Sequence, residues 1–406
     1  MRLPRLAAVG KFALHVAMLT GSGAFAQIKA QSWGQYGVTV HSTNAGYSPF
    51  RQINNTMQIL ADQPIGSIGG SFSQGYGINN LGQVAGYGYT SSDAELHALF
   101  YDGTNTTDIG TLGGMYSAAL GLNDFGRLVG GSYLSGDQYY HAFLYDGTTM
   151  QDLGTLYGTS GQSEARAING AGQIVGFTNV ASGALHAFLY DGSGMHDLGT
   201  LGGTFSQAWG INSTGLVVGD GYTGSNQFHG FIYDGATMTD LGTLGGTTSS
   251  AFGISNAGTA VGFALDALNA YHGAIWENSG SGFTPYNLDN IVNTGSNSGW
   301  VFNRAWSISD NDQYILASAN HNGQFAGIVA LEANAAPVTA TPEPASLALL
   351  GTGLVALCGG ACFRRRRARS WVDDASPMTR GNCFVNRDAV IGSPRGASHT
   401  CMREAP

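Results

Sequence analysis

The chain has 406 residues, of which 63 are glycine and only 11% are charged, and its formal net charge is −9. Charge is unevenly distributed. Residues 27–343 contain 5 basic and 22 acidic residues, a net charge of −17, and Lys29 is their single lysine. A nucleic-acid-binding surface needs clustered Lys and Arg to neutralise phosphates. This composition therefore excludes nucleic acid as a partner of the middle region.

The first 26 residues have the pattern of a secretory signal peptide. Three basic residues come first: Arg2, Arg5 and Lys11. An apolar run over residues 12–19 follows, and Ala24 and Ala26 mark a small-residue cleavage site. The run is short for a membrane span, and an N-terminal anchor is the alternative. We expect an exported protein that is cut after Ala26, with residues 27–63 as an N-terminal segment.

A unit of about 44 residues recurs through residues 64–332. It contains His-Ala-Phe-Leu-Tyr-Asp-Gly, then Asp-Leu-Gly-Thr-Leu-Gly-Gly, then Ala-x-Gly-Ile-Asn. Its marker histidines, spaced by 44, 45, 43 and 43 residues, are His97, His141, His186, His229 and His272. A period in this range indicates supersecondary units that stack to share one core. This region contains no cysteine, so its stability must come from packing and not from disulfides.

Each unit predicts four short antiparallel strands, as at residues 118–122, 128–132, 141–145 and 150–153. Four strands per unit predict an all-β fold, a β-propeller of six blades. Residues 31–60 could supply strands of a seventh blade, and an open solenoid is the rival architecture. Small residues in the first strand place it innermost.

The ends of the repeat region suggest how the circle of blades closes. The last unit lacks a fourth strand, and the piece at residues 64–70 resembles one. We expect this piece to complete the last blade, which would remove an exposed edge. Residues 278–300, rich in Ser, Asn and Gly, are predicted to form a surface loop.

The repeated histidines and aspartates predict structure and not chemistry. The histidines start the third strand of each unit, too far from the axis to converge on one metal ion, so we expect hydrogen-bonding roles. The repeated aspartates are predicted turn residues: Asp102, Asp146, Asp152, Asp191, Asp197, Asp234 and Asp240. Residues 310–312 lack the glycine and the acidic twelfth ligand of a calcium loop. We therefore predict no catalytic residue, metal or cofactor.

Sequence differences between the units concentrate in the connection between the second and third strands, which is where recognition commonly lies. Several of these connections carry tyrosine, which combines an apolar ring with a polar hydroxyl. The predicted ligand face consists of Tyr87, Tyr89, Tyr133, Tyr139, Tyr140, Tyr222 and Tyr271. The alternative is a set of solvated loops with amphipathic tyrosines.

The C-terminal region has the pattern of a membrane-sorting signal. Residues 333–341 form an Ala-, Pro- and Thr-rich linker, and residues 345–363 are uncharged and long enough for a transmembrane helix. Four arginines follow, which places that end in the cytoplasm: Arg364, Arg365, Arg366 and Arg367. Cys358 and Cys362 are expected to pack within the helix.

Two family resemblances follow from these motifs. The repeat motifs resemble the HAF family of extracellular bacterial repeats. Residues 342–367 resemble the PEP-CTERM sorting signal, with Pro342, Glu343 and Pro344 before the helix. This resemblance implies an exosortase-type processing enzyme as partner, transient anchoring in the inner membrane, and release to the cell surface or outside. Residues 368–406 depart from it as an atypical tail, predicted to be disordered.

Two classes of function follow for the exported repeat region. The favoured one is a non-enzymatic binding or scaffold module for an exopolysaccharide or a surface protein. The alternative is a polysaccharide lyase or glycoside hydrolase with acidic residues from several blades near the axis.

Overall fold

The computed structural model of this chain describes residues 52–60, 65–278, 282–292 and 299–332. These ranges contain 23 β-strands and one short helix, so they are all-β as the repeat predicts. The predicted signal peptide, linker, sorting signal with its transmembrane helix, and tail lie outside the described residues. No helix within the described ranges is long and apolar enough to span a membrane.

The first three units are four-stranded sheets in which each strand pairs with the next. Their strands are β1 (Gly69–Ile78), β2 (Val84–Thr90), β3 (Leu96–Tyr101) and β4 (Thr106–Gly110); β5 (Gly113–Leu122), β6 (Leu128–Leu134), β7 (Tyr140–Tyr145) and β8 (Met150–Gly154); and β9 (Ser163–Ile168), β10 (Ile174–Asn179), β11 (Leu185–Tyr190) and β12 (Met195–Asp197).

The fourth and fifth units are built in the same way, and the sixth has three strands in its described residues. These strands are β13 (Gly202–Ile211), β14 (Val217–Thr223), β15 (Phe228–Tyr233) and β16 (Met238–Asp240); β17 (Gly245–Ile254), β18 (Ala260–Asp266), β19 (Tyr271–Asn278) and β20 (Phe283–Asn287); and β21 (Trp300–Ile308), β22 (Tyr314–His321) and β23 (Gln324–Glu332). The helix α1 (Leu288–Val292) follows β20.

Tight turns set the register within each sheet. Gly147, between β7 and β8, has a φ of 103°, which glycine adopts at little cost. The Asp146 carboxylate of the same turn accepts the backbone N–H groups of Thr148 and Thr149. Asp146 is therefore a turn residue, as the sequence predicts.

Neighbouring sheets pack against each other through buried apolar side chains. One cluster joins Val129 and Ala142 of the second unit to Ala165, Ile174 and Phe188 of the third. Comparable clusters join the third unit to the fourth and the fourth to the fifth. Each sheet therefore obtains its core from its neighbour, as expected of stacked repeats.

In the second to fifth units, a buried serine on the first strand joins the unit to the preceding one. Ser206 Oγ accepts the N–H of Ala187 at 2.8 Å and donates to the carbonyl oxygen of Gly199 at 2.5 Å. Three other serines make the same pair of bonds: Ser117, Ser163 and Ser249. Each serine thus satisfies two buried backbone groups of its neighbour.

The marker histidines tie the third strand to the outer edge of their own unit. Nδ1 of His141 lies 2.9 Å from the Asp152 carboxylate. The corresponding pairs are His97 with Asp108, His186 with Asp197, and His229 with Asp240. His272 instead contacts Asp289 of α1 at 2.8 Å. The predicted hydrogen-bonding role of the histidines is confirmed.

Asparagine side chains connect the turns between first and second strands from one unit to the next. Nδ2 of Asn79 donates to the carbonyl oxygen of Asn123, and Asn123 donates to Asn169, each at 3.0 Å. Asn169 then donates to Asn212, which donates to Ser255. These bonds form a continuous chain of turns around the axis.

Residues 52–60 join the sixth unit to the first. The N–H of Ile53 donates to Ser307 Oγ on β21, and Asn54 Nδ2 donates to the carbonyl oxygen of Asn79. Ile53 and Ile59 pack against apolar residues of the sixth unit. The described residues therefore contain six units, with the turn at 52–60 between the last and the first. Single parallel pairings of Leu96 with Tyr116 and of Phe228 with Thr248 join the first unit to the second and the fourth to the fifth.

This closure differs from the predicted one. The carbonyl oxygen of Ile65 accepts a hydrogen bond from Thr106 of β4, and Ile65 packs in the core of the first unit. Within the described residues, β23 pairs only with β22. The prediction that residues 64–70 complete the last blade is wrong, because Ile65 is buried against the first unit instead.

Part of the predicted loop at residues 278–300 is ordered structure. It contains β20, which pairs with β19, and α1, whose Leu288 is fully buried. The sequence pattern there departs from Asp-Leu-Gly, so the fourth strand of this unit was not recognised as such.

Candidate functional site

Two alternate positions of the first strands differ among the units, within a motif close to Ser-x-Ala-x-Gly-Ile-Asn. The first variable position holds Gln74, Ala118, Glu164, Gln207, Ser250 and Arg304. The second holds Tyr76, Leu120, Arg166, Trp209, Phe252 and Trp306. The surrounding motif positions hold similar residues in every unit, so the variation concentrates at these two.

A cavity of about 370 Å³ lies on the axis, at the end where the first strands turn into the second. Its wall consists of first-strand residues and their turns, which confirms that the first strand is innermost. Polar turn residues form the rim. There, Asn80 Nδ2 donates to Asp124 and to Asp310, each at 3.0 Å, and so links the first unit to the second and the sixth.

Five side chains from four successive units form a connected row along the axis, which we name the axial row. The Arg166 guanidinium lies 3.7 Å from the ring centroid of Trp209. Trp209 meets Phe252 edge to face, and Phe252 stacks on Trp306 with 5.4 Å between ring centroids and 14° between planes. The Arg304 guanidinium lies 5.5 Å from the Trp306 ring. All members of the row except Arg304 line the cavity.

Asp220 of β14 anchors the middle of the axial row. Its buried carboxylate accepts hydrogen bonds from Trp209 Nε1 at 2.7 Å, from Gln207 Nε2 at 2.9 Å, and from Ser250 Oγ. Burial raises the pKa of Asp220, although these three donors favour the ionised form. The bonds fix the orientation of the indole that faces Arg166.

Arg166 has a carboxylate partner beside it. Its Nε lies 3.0 Å from Glu164 Oε1, and both residues are largely buried on β9. Burial raises the pKa of Glu164 and lowers that of Arg166, and their mutual attraction opposes both shifts. Arg166 Nη1 is buried without a hydrogen-bond partner among the described residues. A buried donor of this kind costs free energy unless an acceptor reaches it.

Arg304 differs from Arg166 because no carboxylate of the described residues lies within salt-bridge distance of it. Its guanidinium lies 5.0 Å from the ring centroid of Phe263 and 5.5 Å from that of Tyr271. Arg304 is half-buried, and Tyr271 is 48% exposed. Arg304 therefore sits among aromatic rings at a position that solvent reaches.

The predicted ligand-face tyrosines lie in strands more than in loops, because the second strands are longer than predicted. Tyr87 and Tyr89 belong to β2, Tyr133 to β6 and Tyr222 to β14. Tyr140 begins β7. The prediction that connecting loops carry these rings is wrong, since the pairing between second and third strands continues through them.

The structure brings four of these tyrosines together. The ring of Tyr87 contacts Tyr116, and the ring of Tyr133 contacts Tyr140. Tyr89 is connected to Tyr87 because both rings contact Phe72. Burial raises the pKa of Tyr140. The Tyr140 ring occupies the space beside Gly131, where a Cβ atom would clash with it.

The other three predicted tyrosines lie apart from this group. Tyr139 precedes β7 and takes no part in the ring contacts of the described chain. Tyr222 contacts Phe205 and Phe228. Tyr271 lies beside Arg304, so it is the predicted residue that adjoins the axial row.

Sequence reasoning missed the axial row, although a signal was present. Glu164, Arg166, Trp209 and Asp220 stand where the units differ, and Asp220 lies opposite Gln207 in the ladder between β13 and β14. A comparison of units position by position identifies these residues. In the described ranges, no group of three or more potential ligands could hold a metal ion.

Comparison with known families identifies the C-terminal region. Residues 340–367 match the PEP-CTERM protein-sorting motif. This motif indicates export and membrane-associated sorting, as predicted, and is consistent with a surface or extracellular protein. No curated protein matches the chain.

The solved structures that are similar to this chain include a β-propeller. TolB from Acinetobacter baumannii matches with 13% identity and a TM-score of 0.37, over 62% of this chain and 64% of that one. The chain thus spans just under two thirds of TolB. The Aleuria aurantia lectin, a six-bladed β-propeller, matches with 16% identity and a TM-score of 0.30, over 56% and 79% of the two chains. The gluconolactonase XC5397 from Xanthomonas campestris matches with 8% identity and a TM-score of 0.35, over 66% and 88%.

Proposed function

We propose that this chain is an exported, non-enzymatic binding protein that holds a saccharide at the axial cavity of a closed, HAF-type repeat propeller. The observation that supports this most is that residue differences between the units concentrate at two positions of the first strands. Ser, His, Asp and Asn recur where they make the bonds within and between units, whereas the two variable positions each hold five residue types in six units, and no two units carry the same pair. A bond that holds every unit together needs the same residue in every unit. A single asymmetric ligand needs different residues from different units.

A saccharide fits the chemistry of this cavity. Trp209, Phe252 and Trp306 offer aromatic surface for the apolar face of a sugar ring. The rim offers amide and carboxylate groups for hydroxyls, including Asn80 and Asp124. A small number of placed polar groups on an aromatic wall is typical of small-ligand sites.

The enzymatic alternative depends on Glu164 and Asp220, two buried carboxyl groups with raised pKa. Raised values of this kind also occur in general acids. Asp220 is held by three donors and Glu164 lies against Arg166, so both have structural partners. This arrangement favours binding over hydrolysis or elimination.

Glycan-array binding followed by calorimetric titration tests the proposal. We expect an array ligand to bind the full chain without product formation, and Trp306→Ala to weaken it at least tenfold. Phe325→Ala, at a 65% exposed ring on β23, is the matched control and should bind normally. Turnover that disappears in Glu164→Gln or Asp220→Asn, with binding retained, would establish an enzyme instead.

We also propose that an exosortase-type enzyme processes the chain near Pro342, Glu343 and Pro344, which lie within the matched motif. Glu343→Ala should then leave the chain membrane-bound, as fractionation and intact-mass measurement would show. Equal release of the variant and the unaltered chain would refute this processing.

A further inference from the structure

Arginine is rare in the described part of the chain, and its placement is unequal. Residues 52–332 contain three arginines, Arg127, Arg166 and Arg304, and no lysine. Two of the three lie on first strands and belong to the axial row. In a strongly acidic region, positive charge is thus concentrated beside the cavity.

The two axial arginines have different surroundings. Arg166 is paired with Glu164 and attracted by Asp220, so its charge is compensated. Arg304 has aromatic neighbours and no carboxylate within salt-bridge distance in the described ranges. Asp266, in the adjacent sheet, is occupied by His272 and by backbone N–H groups of its own turn. Among the described residues, Arg304 is therefore the axial arginine without a carboxylate partner.

We propose that Arg304 binds the carboxylate of an acidic saccharide, such as a uronic-acid unit, so that the axial site selects acidic over neutral glycans. This inference rests on the proposed saccharide-binding function and adds the charge class of the ligand. A guanidinium presents two parallel N–H donors that match a carboxylate. Trp306 and Tyr271 beside it supply aromatic surface for the attached sugar ring.

The neighbouring rings also strengthen the electrostatic part of this interaction. Phe263, Tyr271 and Trp306 replace part of the water around the half-buried guanidinium and lower the local dielectric, which increases its attraction for an anion. They also fix its position, so less side-chain entropy is lost on binding. A merely structural cation–π contact would not require that the cation lack an acidic partner.

The test compares one oligosaccharide in two forms: an oligogalacturonate and its carboxyl-reduced product, which has the same rings and no charge. Calorimetric titration of the full chain should show at least about tenfold tighter binding of the acidic form, the effect of one charge-assisted bond. Arg304→Gln should remove this preference by weakening the acidic form alone. Arg304→Lys should restore part of it, and Arg127→Gln, which removes the same charge from a residue outside the cavity lining, should change nothing.

Each result distinguishes the inference from the function on which it rests. Equal affinity of the unaltered chain for both forms, or a preference that survives Arg304→Gln, overturns the inference and leaves saccharide binding intact. Binding of neither form, together with an empty glycan array, overturns the proposed function. Near-ultraviolet circular dichroism of each variant shows whether it is folded. If Arg304→Gln does not fold, the comparison of Arg304→Lys with the unaltered chain still decides the test.

Discussion

The sheet-to-sheet contacts and the axial row differ in how they use the repeat. Between sheets, the same serine bonds and apolar contacts recur, and the first five units each keep a histidine–aspartate pair. Along the axis, the units present residues as different as Leu120, Arg166 and Trp209 at one equivalent position. The first region obtains stability from repetition. The second varies from unit to unit, and the proposed binding of an asymmetric ligand rests on this variation.

A pair of phenylalanines tests this contrast with the largest expected effect. Phe188 is fully buried between the third unit and the second, so Phe188→Ala should lower the free energy of unfolding by about 3–5 kcal/mol. Phe252, half-buried in the axial row, should lose much less stability and most of its ligand binding. Urea titration measures the first effect and calorimetry the second. Equal losses of stability would remove the distinction between the two regions.

Tyr139 and Tyr140, two adjacent residues of the predicted ligand face, are expected to differ in their contribution to stability. The Tyr140 ring packs against Tyr133, Tyr116 and Gly131, so Tyr140→Ala should lower the free energy of unfolding by about 2 kcal/mol. Tyr139→Ala should have almost no effect on the melting temperature. Thermal unfolding of both single variants checks this, and equal melting temperatures would mean that Tyr140 is not a core residue.

The histidines test the outer layer on a smaller scale. His141 is almost fully buried, and His141→Ala should destabilise by about 1–3 kcal/mol because the Asp152 interaction is lost. His186 and Asp197 are more exposed, so His186→Ala should cost only about 1 kcal/mol. Denaturant titration gives both values. No change in either variant would refute the structural role of the histidines.

The smallest effect concerns pH and the turn at Asp146. Backbone N–H groups of Thr149 and Thr148 lower the pKa of Asp146 from its ordinary value of 3.8 to about 2. The ionised carboxylate therefore stabilises the fold fully above about pH 4, and the contribution is lost as pH falls toward 2. The stability difference between the unaltered chain and Asp146→Asn should shrink over that interval. A difference independent of pH would contradict this role.

Much of the fold is predictable because it depends on local pattern. Period, turn residues such as Asp146, and strand alternation suffice for four-stranded units with the first strand innermost. The contact by which residues 52–60 join the last unit to the first was not predictable in the same way. It depends on Ile53 packing against the sixth unit across more than 250 positions of sequence, and no local pattern encodes that contact.

The site was harder to predict because it lies where the pattern fails. Tyrosines in variable connections drew attention, whereas Arg166 and Arg304 stand inside otherwise regular first strands. Their proximity to the tryptophans becomes visible only when the strands are arranged around one axis. The sequence predicts Tyr271 as a ligand-face residue because it lies in a variable connection, whereas its position beside Arg304 follows only from the structure.

A crystal structure with a bound acidic oligosaccharide would test the central claim most directly. The account predicts density for a sugar ring against Trp209, Phe252 or Trp306, with its carboxylate within hydrogen-bond distance of Arg304. Ligand density against Tyr89 of β2 or Tyr222 of β14, with the axial cavity empty, would contradict it.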